Sequence, residues 1–303
     1  MKTKFFFFIT LLLMAAACRH LEIDDPTYSE EKPEIREESA DSVWTLTIEA
    51  TKGEPDTKAL DLVNEGSRLN FYWKVTETVK VYKGGSFLGT LNVSPAAGEK
   101  PVQATLGGSI TTTGLAQGDA LTLLIPRDVW DYTGQNGALT GTGSIEDTYA
   151  YATATVTVNS ISGNTVSTTE ASFSNQESIY RFGFKVSGSY IDPKAFTVSA
   201  AGGLLVQCLT LNAGVWTPEY GSLTVTPASA PADHFYYVSL RNRQTTDDTY
   251  SFIITGADDK LYMASKGIPA SVLDAPGKFI SAKNINAVQP DFGPTAGTTD
   301  TAL

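Results

Sequence analysis

Histidine and cysteine are nearly absent from this chain, with two of each among 303 residues, and the shortage excludes several chemistries. Metal centres built on imidazole or thiolate gather three or four such ligands, whereas His20, His234, Cys18 and Cys208 are scattered along the sequence. A Cys-His nucleophile needs a base beside the thiol, and neither histidine neighbours Cys208. There is no Gly-x-Ser-x-Gly elbow, no His-Glu-x-x-His and no Gly-rich phosphate cradle. Asp247-Asp248 and Asp258-Asp259 lack the spaced oxygen ligands of a calcium loop. Asp128, Asp131, Glu146 and Asp147 lie in loop-like sequence, where solvated carboxylates are ordinary and a glycosidase pair is not called for. The expectation is a non-enzyme with no cofactor and no metal.

Positive charge is also short. Lys and Arg number 22 against 33 Asp and Glu, for a net charge of −11, which excludes nucleic acid as a partner and electrostatic adhesion to anionic lipid. Long hydrophobic runs are missing too: Phe5 to Met14 is the longest, about half of the ~20 residues a membrane-spanning helix needs.

That run follows Met1-Lys2-Thr3-Lys4 and precedes Ala15-Ala16-Ala17-Cys18, the pattern of a signal peptide with a lipidation site. Residues 1–17 are expected to be removed and Cys18 to carry acyl chains, palmitate among them, although Ala15 stands where bacterial lipoboxes usually have Leu. Each buried methylene contributes about 0.8 kcal/mol, so several chains hold a protein on a membrane where one would not. The membrane partner is therefore met through lipid on Cys18, and the expected location is the cell outer membrane, facing outward. Loss of Lys2 and Lys4 removes two positive charges and takes the net charge to −13. Residues 18–42 hold Glu22, Asp24, Asp25, Glu30, Glu31, Glu34, Glu37, Glu38 and Asp41 with Pro26 and Pro33 between them, an acidic flexible tether.

Beyond it the hydrophobic period is two. Trp44, Leu46 and Ile48 alternate with Thr45, Thr47 and Glu49; Ala154, Val156 and Val158 alternate with threonines; Phe182, Phe184 and Val186 alternate with Arg181, Gly183 and Lys185. Each run predicts a strand with one buried face. Turn signals at Lys83-Gly84-Gly85-Ser86, Gly107-Gly108, Gln117-Gly118-Asp119, Gln135-Asn136-Gly137 and Asp258-Asp259-Lys260 come at hairpin spacing, and Pro269 to Leu273 is the one place for a short helix. The expected fold is all-β, two tandem antiparallel β-sandwich domains at 43–187 and 188–288, divided near Ser187-Gly188-Ser189, with a disordered tail at 289–303. Trp130, Tyr132 and Trp216 sit in irregular sequence, either as exposed platforms for sugar rings or as caps on the sandwich ends.

Several stretches resemble fimbrillin-like proteins, the type V pilins and related surface lipoproteins. They are Val79-Lys80-Val81-Tyr82-Lys83-Gly84-Gly85, Phe87-Leu88-Gly89-Thr90-Leu91, Ala120-Leu121-Thr122-Leu123-Leu124-Ile125-Pro126-Arg127, Tyr132 to Gly137, Tyr149 to Ala154 and Ala171 to Gln176. The resemblance covers roughly half of the chain and implies Greek-key, transthyretin-like sandwiches and a pilus structural, accessory or tip subunit used in adhesion. It implies cleavage by a trypsin-like protease after the first strand, and filling of the opened groove by a strand from another pilin subunit. Here the groove-sealing strand would be Trp44 to Ala50, with Trp44, Leu46 and Ile48 inward, and the cleavage position Lys58-Ala59, where the family usually has Arg. The tail lacks the alternation of a donor strand, so either Phe279 to Val288 serves as donor or the chain accepts a strand without passing one on. Asp41-Ser42-Val43 and Asp300-Thr301-Ala302 resemble an O-glycosylation sequon of exported proteins. The alternative is a monomeric glycan-binding lipoprotein that uses Trp130, Tyr132 or Trp216 as sugar platforms; under either reading a host or bacterial surface glycan or protein is an expected partner.

Overall fold

The computed structural model describes residues 41–52, 71–126, 128–273 and 276–290. Cys18, the tether up to residue 40, Lys58, Ala59 and the tail from residue 291 lie outside the described residues, so the expectations placed on them are untouched by it. Over the described residues the chain is all-β. The first nine strands are β1 (Ser42–Lys52), β2 (Thr78–Lys83), β3 (Ser86–Pro95), β4 (Gln103–Thr112), β5 (Ala120–Ile125), β6 (Val129–Asp131), β7 (Ala152–Ser162), β8 (Thr165–Thr168) and β9 (Ala171–Asn175). The next ten are β10 (Ser178–Val186), β11 (Ser189–Ile191), β12 (Pro193–Ala200), β13 (Val206–Asn212), β14 (Val215–Tyr220), β15 (Leu223–Val225), β16 (Tyr236–Leu240), β17 (Asp248–Gly256), β18 (Leu261–Ile268) and β19 (Phe279–Val288).

The period of two becomes burial as expected in β1 and β7. Leu46, Ile48, Ala50, Ala154, Val156 and Val158 are buried, while Thr47, Glu49, Thr155 and Thr157 face water. A helical turn at Ala270–Val272 falls where Pro269 to Leu273 predicts one. A second, at Ile145–Tyr149, was not anticipated, although Ser144 accepts a hydrogen bond from the Asp147 N–H and opens a Ser-x-x-acidic start signal. Gly107-Gly108 is no turn: the pair lies inside β4, opposite Thr47 and Leu46. A Cβ on Gly108 would come within 2.9 Å of the Thr90 carbonyl on β3, so this glycine allows β3 and β4 to approach.

The first sheet closes on itself. β4, β3, β2, β5 and β7 follow one another; β7 pairs with β8 through its C-terminal half and with β9 through its N-terminal end; β8 and β9 both pair with β1; and β1 returns to β4. This is a barrel in which β8 and β9 share one stave, with Leu46, Val79, Leu91, Leu106, Leu121 and Val156 inside. A sandwich was expected here, and the difference comes from β1, which pairs with β4 along one edge and, in two short stretches at residues 45–46 and 50–52, with β8 and β9 on the other. The second sheet is open, in the order β11-β10-β19-β18-β17-β12-β15 with β16 also on β10. Its core is aromatic: Phe182 meets Phe252 edge-on at 5.0 Å between centroids, and Phe184 meets Phe196 at 5.1 Å.

The chain passes from one sheet to the other at Gln176-Glu177, ahead of β10. The run Tyr180 to Val186 therefore joins the second sheet, where it pairs with β11, β16 and β19, although its place in the sequence suggested the first. Its aromatics Tyr180, Phe182 and Phe184 share one face and are buried in the second-sheet core, while Ile179 on the opposite face is buried in a separate cluster with Phe71, Leu139, Ile145 and Tyr237. The two sheets share a core. Tyr82, Leu124, Trp130, Tyr132 and Tyr151 pack with the second-sheet aromatics, and Gln135 bonds Ser239 through both ends of its amide, at 2.7 Å each.

Glu177 lies at this crossing with 2% exposure. One carboxyl oxygen accepts from the Tyr151 and Gln176 N–H groups at 3.1 and 3.3 Å; the other has no partner among the described residues. Burial pushes its pKa up to about 8, against the lowering pull of those N–H groups and of Arg241. The unfolded chain releases this proton near pH 4.5 and the folded chain keeps it to about 8, so this group's contribution to stability falls with rising pH across that interval and then levels. Glu177→Gln keeps the accepting oxygen and removes the titration. It is expected to stabilise the protein by about 3 kcal/mol at pH 7 and to flatten the pH 5–8 portion of the stability curve in urea unfolding; an unchanged slope would show that Glu177 does not carry it.

Candidate functional site

The strand that completes the barrel is also the first described segment of the chain. Val, Ile, Leu and Thr dominate it, and only one of its faces is apolar, which suits a half-buried stave. β1 runs antiparallel to β4 over ten residue pairs, from Ser42 opposite Thr112 to Thr51 opposite Gln103. On its other edge Thr45 and Leu46 run parallel to Thr165 and Val166 of β8, and Ala50 to Lys52 run parallel to Ala171 to Phe173 of β9. Further bonds come from the Thr45 N–H to the Asn164 carbonyl at 2.7 Å and from the Asn164 amide to the Val43 carbonyl at 2.8 Å.

Inward side chains follow every second position. Trp44 is half-buried, Leu46 is 0% and Ile48 1% exposed, and Ala50 and Lys52 are buried. Burying a side chain of the size of Leu or Ile contributes about 1.5–3 kcal/mol, so β1 is a principal part of this core. Without it, β4 on one side and β8 and β9 on the other would present unpaired N–H and C=O groups along an apolar slot. Trp44, Leu46 and Ile48, the residues expected to seal a groove, share the inward face of β1.

Lys52 was not singled out from sequence, yet the parity that buries residues 46, 48 and 50 also turns residue 52 inward. Its ammonium donates to the Tyr72 carbonyl at 3.0 Å and to the Glu77 carboxylate, and lies 4.9 Å from the centre of the Trp73 ring. Glu77 is held by its own turn, in which the Lys74 N–H donates to the second carboxyl oxygen at 2.8 Å and the Glu77 N–H to the Lys74 carbonyl at 3.0 Å. Trp73 is fixed by its indole N–H, which donates to the Val102 carbonyl at 3.1 Å, and by an edge-on contact with Phe173. Burial lowers the pKa of Lys52, outweighing the raising influence of Glu77.

The other sequence candidates are placed differently. Trp130 and Tyr132 are 2% and 0% exposed; Trp216 is half-buried with its ring centre 4.0 Å from that of Trp130. The sugar-platform expectation is corrected for Trp130 and Tyr132, which are interior residues: Trp130 lies in the three-residue strand β6, which pairs with β13, and Tyr132 follows it with its N–H donating to the Gln207 carbonyl at 2.9 Å; a strand this short leaves no alternation to read. Asp128 is paired with Lys80 at 2.8 Å, which holds its carboxyl below the usual range. Asp131 accepts from the Thr133 N–H, Asp147 from the Gly143 N–H, and Glu146 pairs with Lys74. Asp248 binds Asn242 and the Gly202 N–H, so each of these acids has a structural task. Cys208 is half-buried in β13 with its thiol pKa raised by burial. Ser42 opens β1 with its side chain exposed. β19 is an interior stave of the second sheet, parallel to β10 from Phe279 to Asn286 and antiparallel to β18 at Ala287 and Val288. Swinging it out as a donor would uncover Ala282, Ile285 and Ala287.

No family model matches the sequence, and no curated protein matches it. Solved structures similar to it include a protein described as a cell adhesion protein from Bacteroides ovatus, 11% identical, with 82% of this chain and 96% of that one covered and a TM-score of 0.43. Others are a fimbrial assembly protein from Parabacteroides distasonis (10% identity, 84% and 94% covered, TM-score 0.39) and a protein described as a cell adhesion protein from Bacteroides uniformis (15% identity, 82% and 99% covered, TM-score 0.40). These likenesses are distant.

Proposed function

We propose that this chain is a surface-exposed subunit of the fimbrillin-like kind, anchored to the outer membrane through lipid on Cys18, that joins a fimbrium by exchanging β1 for a strand of another subunit. The observation that carries the proposal is the double-edged pairing of β1: one strand both closes the barrel and supplies inward Leu46, Ile48 and Ala50. Its C-terminal connection, residues 53–70, contains Lys58-Ala59. A cut there would free β1 from the body, and the vacated slot would offer an incoming strand both backbone pairing and apolar burial. β19 is built into its sheet, which favours a subunit that accepts a strand, as an accessory or tip subunit would.

Protein released from the cell surface should show a new N terminus at Ala59 by mass spectrometry and heat-labile ladders on a denaturing gel. Acylated Cys18 as the sole N terminus, with monomer alone on the gel, would contradict the proposal.

A further inference from the structure

The end of the β1 slot makes a demand that the apolar stripe does not. Four inward positions, 44, 46, 48 and 50, take uncharged side chains; the fifth, 52, takes an ammonium group. Its three acceptors, the Tyr72 carbonyl, the Glu77 carboxylate and the Trp73 ring face, all belong to the body. They follow Lys58 in the chain and would remain after a cut there. The carboxylate is oriented by the Lys74–Glu77 turn and the ring by the Val102 carbonyl, bonds made within the body, although that carbonyl also accepts from the Lys52 N–H at 2.9 Å. The neighbouring cation, Lys74, is directed to Glu146 at 3.2 Å.

We infer that the slot selects its occupant by charge as well as by apolar pattern: resting on the proposed strand exchange, the incoming partner is an extended segment of alternating apolar residues with a lysine at the fifth inward position. A strand with an uncharged residue there would leave a mostly buried carboxylate unpaired, a cost that discriminates against it more strongly than a poor apolar fit would. Lysine suits the receptacle better than arginine, because a compact ammonium can meet a carbonyl, a carboxylate and a ring face at one point.

The criterion also speaks against a second copy's β19 as the partner. With Lys283 at the position of Lys52, Phe279 would take the place of Ile48 and Gly277 that of Leu46, leaving a void at a fully buried site. In addition, the inward residues Ala282 and Ile285 of β19 are three apart, which breaks the period the slot requires. A second copy's β19 is therefore not the partner strand; the occupant is a segment of another polypeptide that carries the apolar alternation and the lysine.

The test uses the full chain nicked at one protease site introduced between residues 53 and 70, with β1 left in place as a separate strand. Synthetic copies of residues 42–52 then compete for the slot, one with the natural lysine at position 52 and one carrying Lys52→Met. The lysine copy is expected to displace β1 at a concentration at least about tenfold lower than the methionine copy, and Glu77→Gln in the body should remove most of that preference. Equal competition by both copies would overturn the inference while leaving strand exchange intact. Failure of both copies to enter, with the nicked chain still folded, would instead sink the exchange proposal on which it rests.

Discussion

Ile48→Asp is expected to destabilise the protein by about 5 kcal/mol or more, enough to prevent formation of the barrel, whereas Thr47→Asp one residue away should change stability by no more than about 1 kcal/mol. Ile48 is 1% exposed and sits opposite Leu106 in the middle of the β1–β4 ladder. The substitution removes a buried aliphatic side chain and puts a carboxylate where the barrel core offers only apolar neighbours. Residue 47 faces water, and its substitution is limited to strand propensity and to proximity to Glu49 on the same face. Urea unfolding of the two variants checks this directly. Similar losses for both would mean that β1 is not seated with the observed parity, and two small losses would mean that it seals nothing.

The second large effect is expected at Lys52. Lys52→Met should cost about 3 kcal/mol, because it leaves Glu77 as an uncompensated carboxylate whose side chain is only 19% exposed. Replacing both partners, Lys52→Met with Glu77→Leu, should recover most of that loss, and the double-mutant cycle should give a coupling of at least about 2 kcal/mol. The physical ground is the competition already visible at Lys52, where burial lowers the ammonium pKa more than the Glu77 carboxylate raises it. A pair in which desolvation outweighs attraction adds little stability compared with apolar residues in its place. Its value lies in register, since it fixes which residue of a strand ends at the Trp73 face. Additive single-variant losses in denaturant unfolding would show that the two groups do not act on each other.

The sequence disclosed the local half of this account. Alternation identified β1, β7 and β10 as strands, and the parity of residues 46, 48 and 50 predicted which side chains of β1 are inside. The same parity, carried two residues further, turns Lys52 inward and signals a buried cation in need of partners. Those partners, at residues 72, 73 and 77, lie across the 53–70 connection, and no local pattern links them to it. Closure of the first sheet was not legible for the same reason, since it depends on β1 pairing with β4, β8 and β9, segments more than fifty residues away. Gly107-Gly108 has the composition of a turn and the role of a close strand crossing. Sequence left Trp130 and Tyr132 open between exposed platforms and buried caps, because β6 is only three residues long and its pairing partner β13 comes from the far half of the chain.

Whether β1 can be taken out and replaced from outside is measured most directly by native mass spectrometry of the nicked full chain mixed with a heavy-isotope copy of residues 42–52. Replacement predicts bodies that carry one heavy strand each and have lost the light one, with the β-rich circular dichroism of the body retained. A body that keeps only its light strand under every condition in which it stays folded, or one that loses its fold whenever that strand departs, would contradict the account.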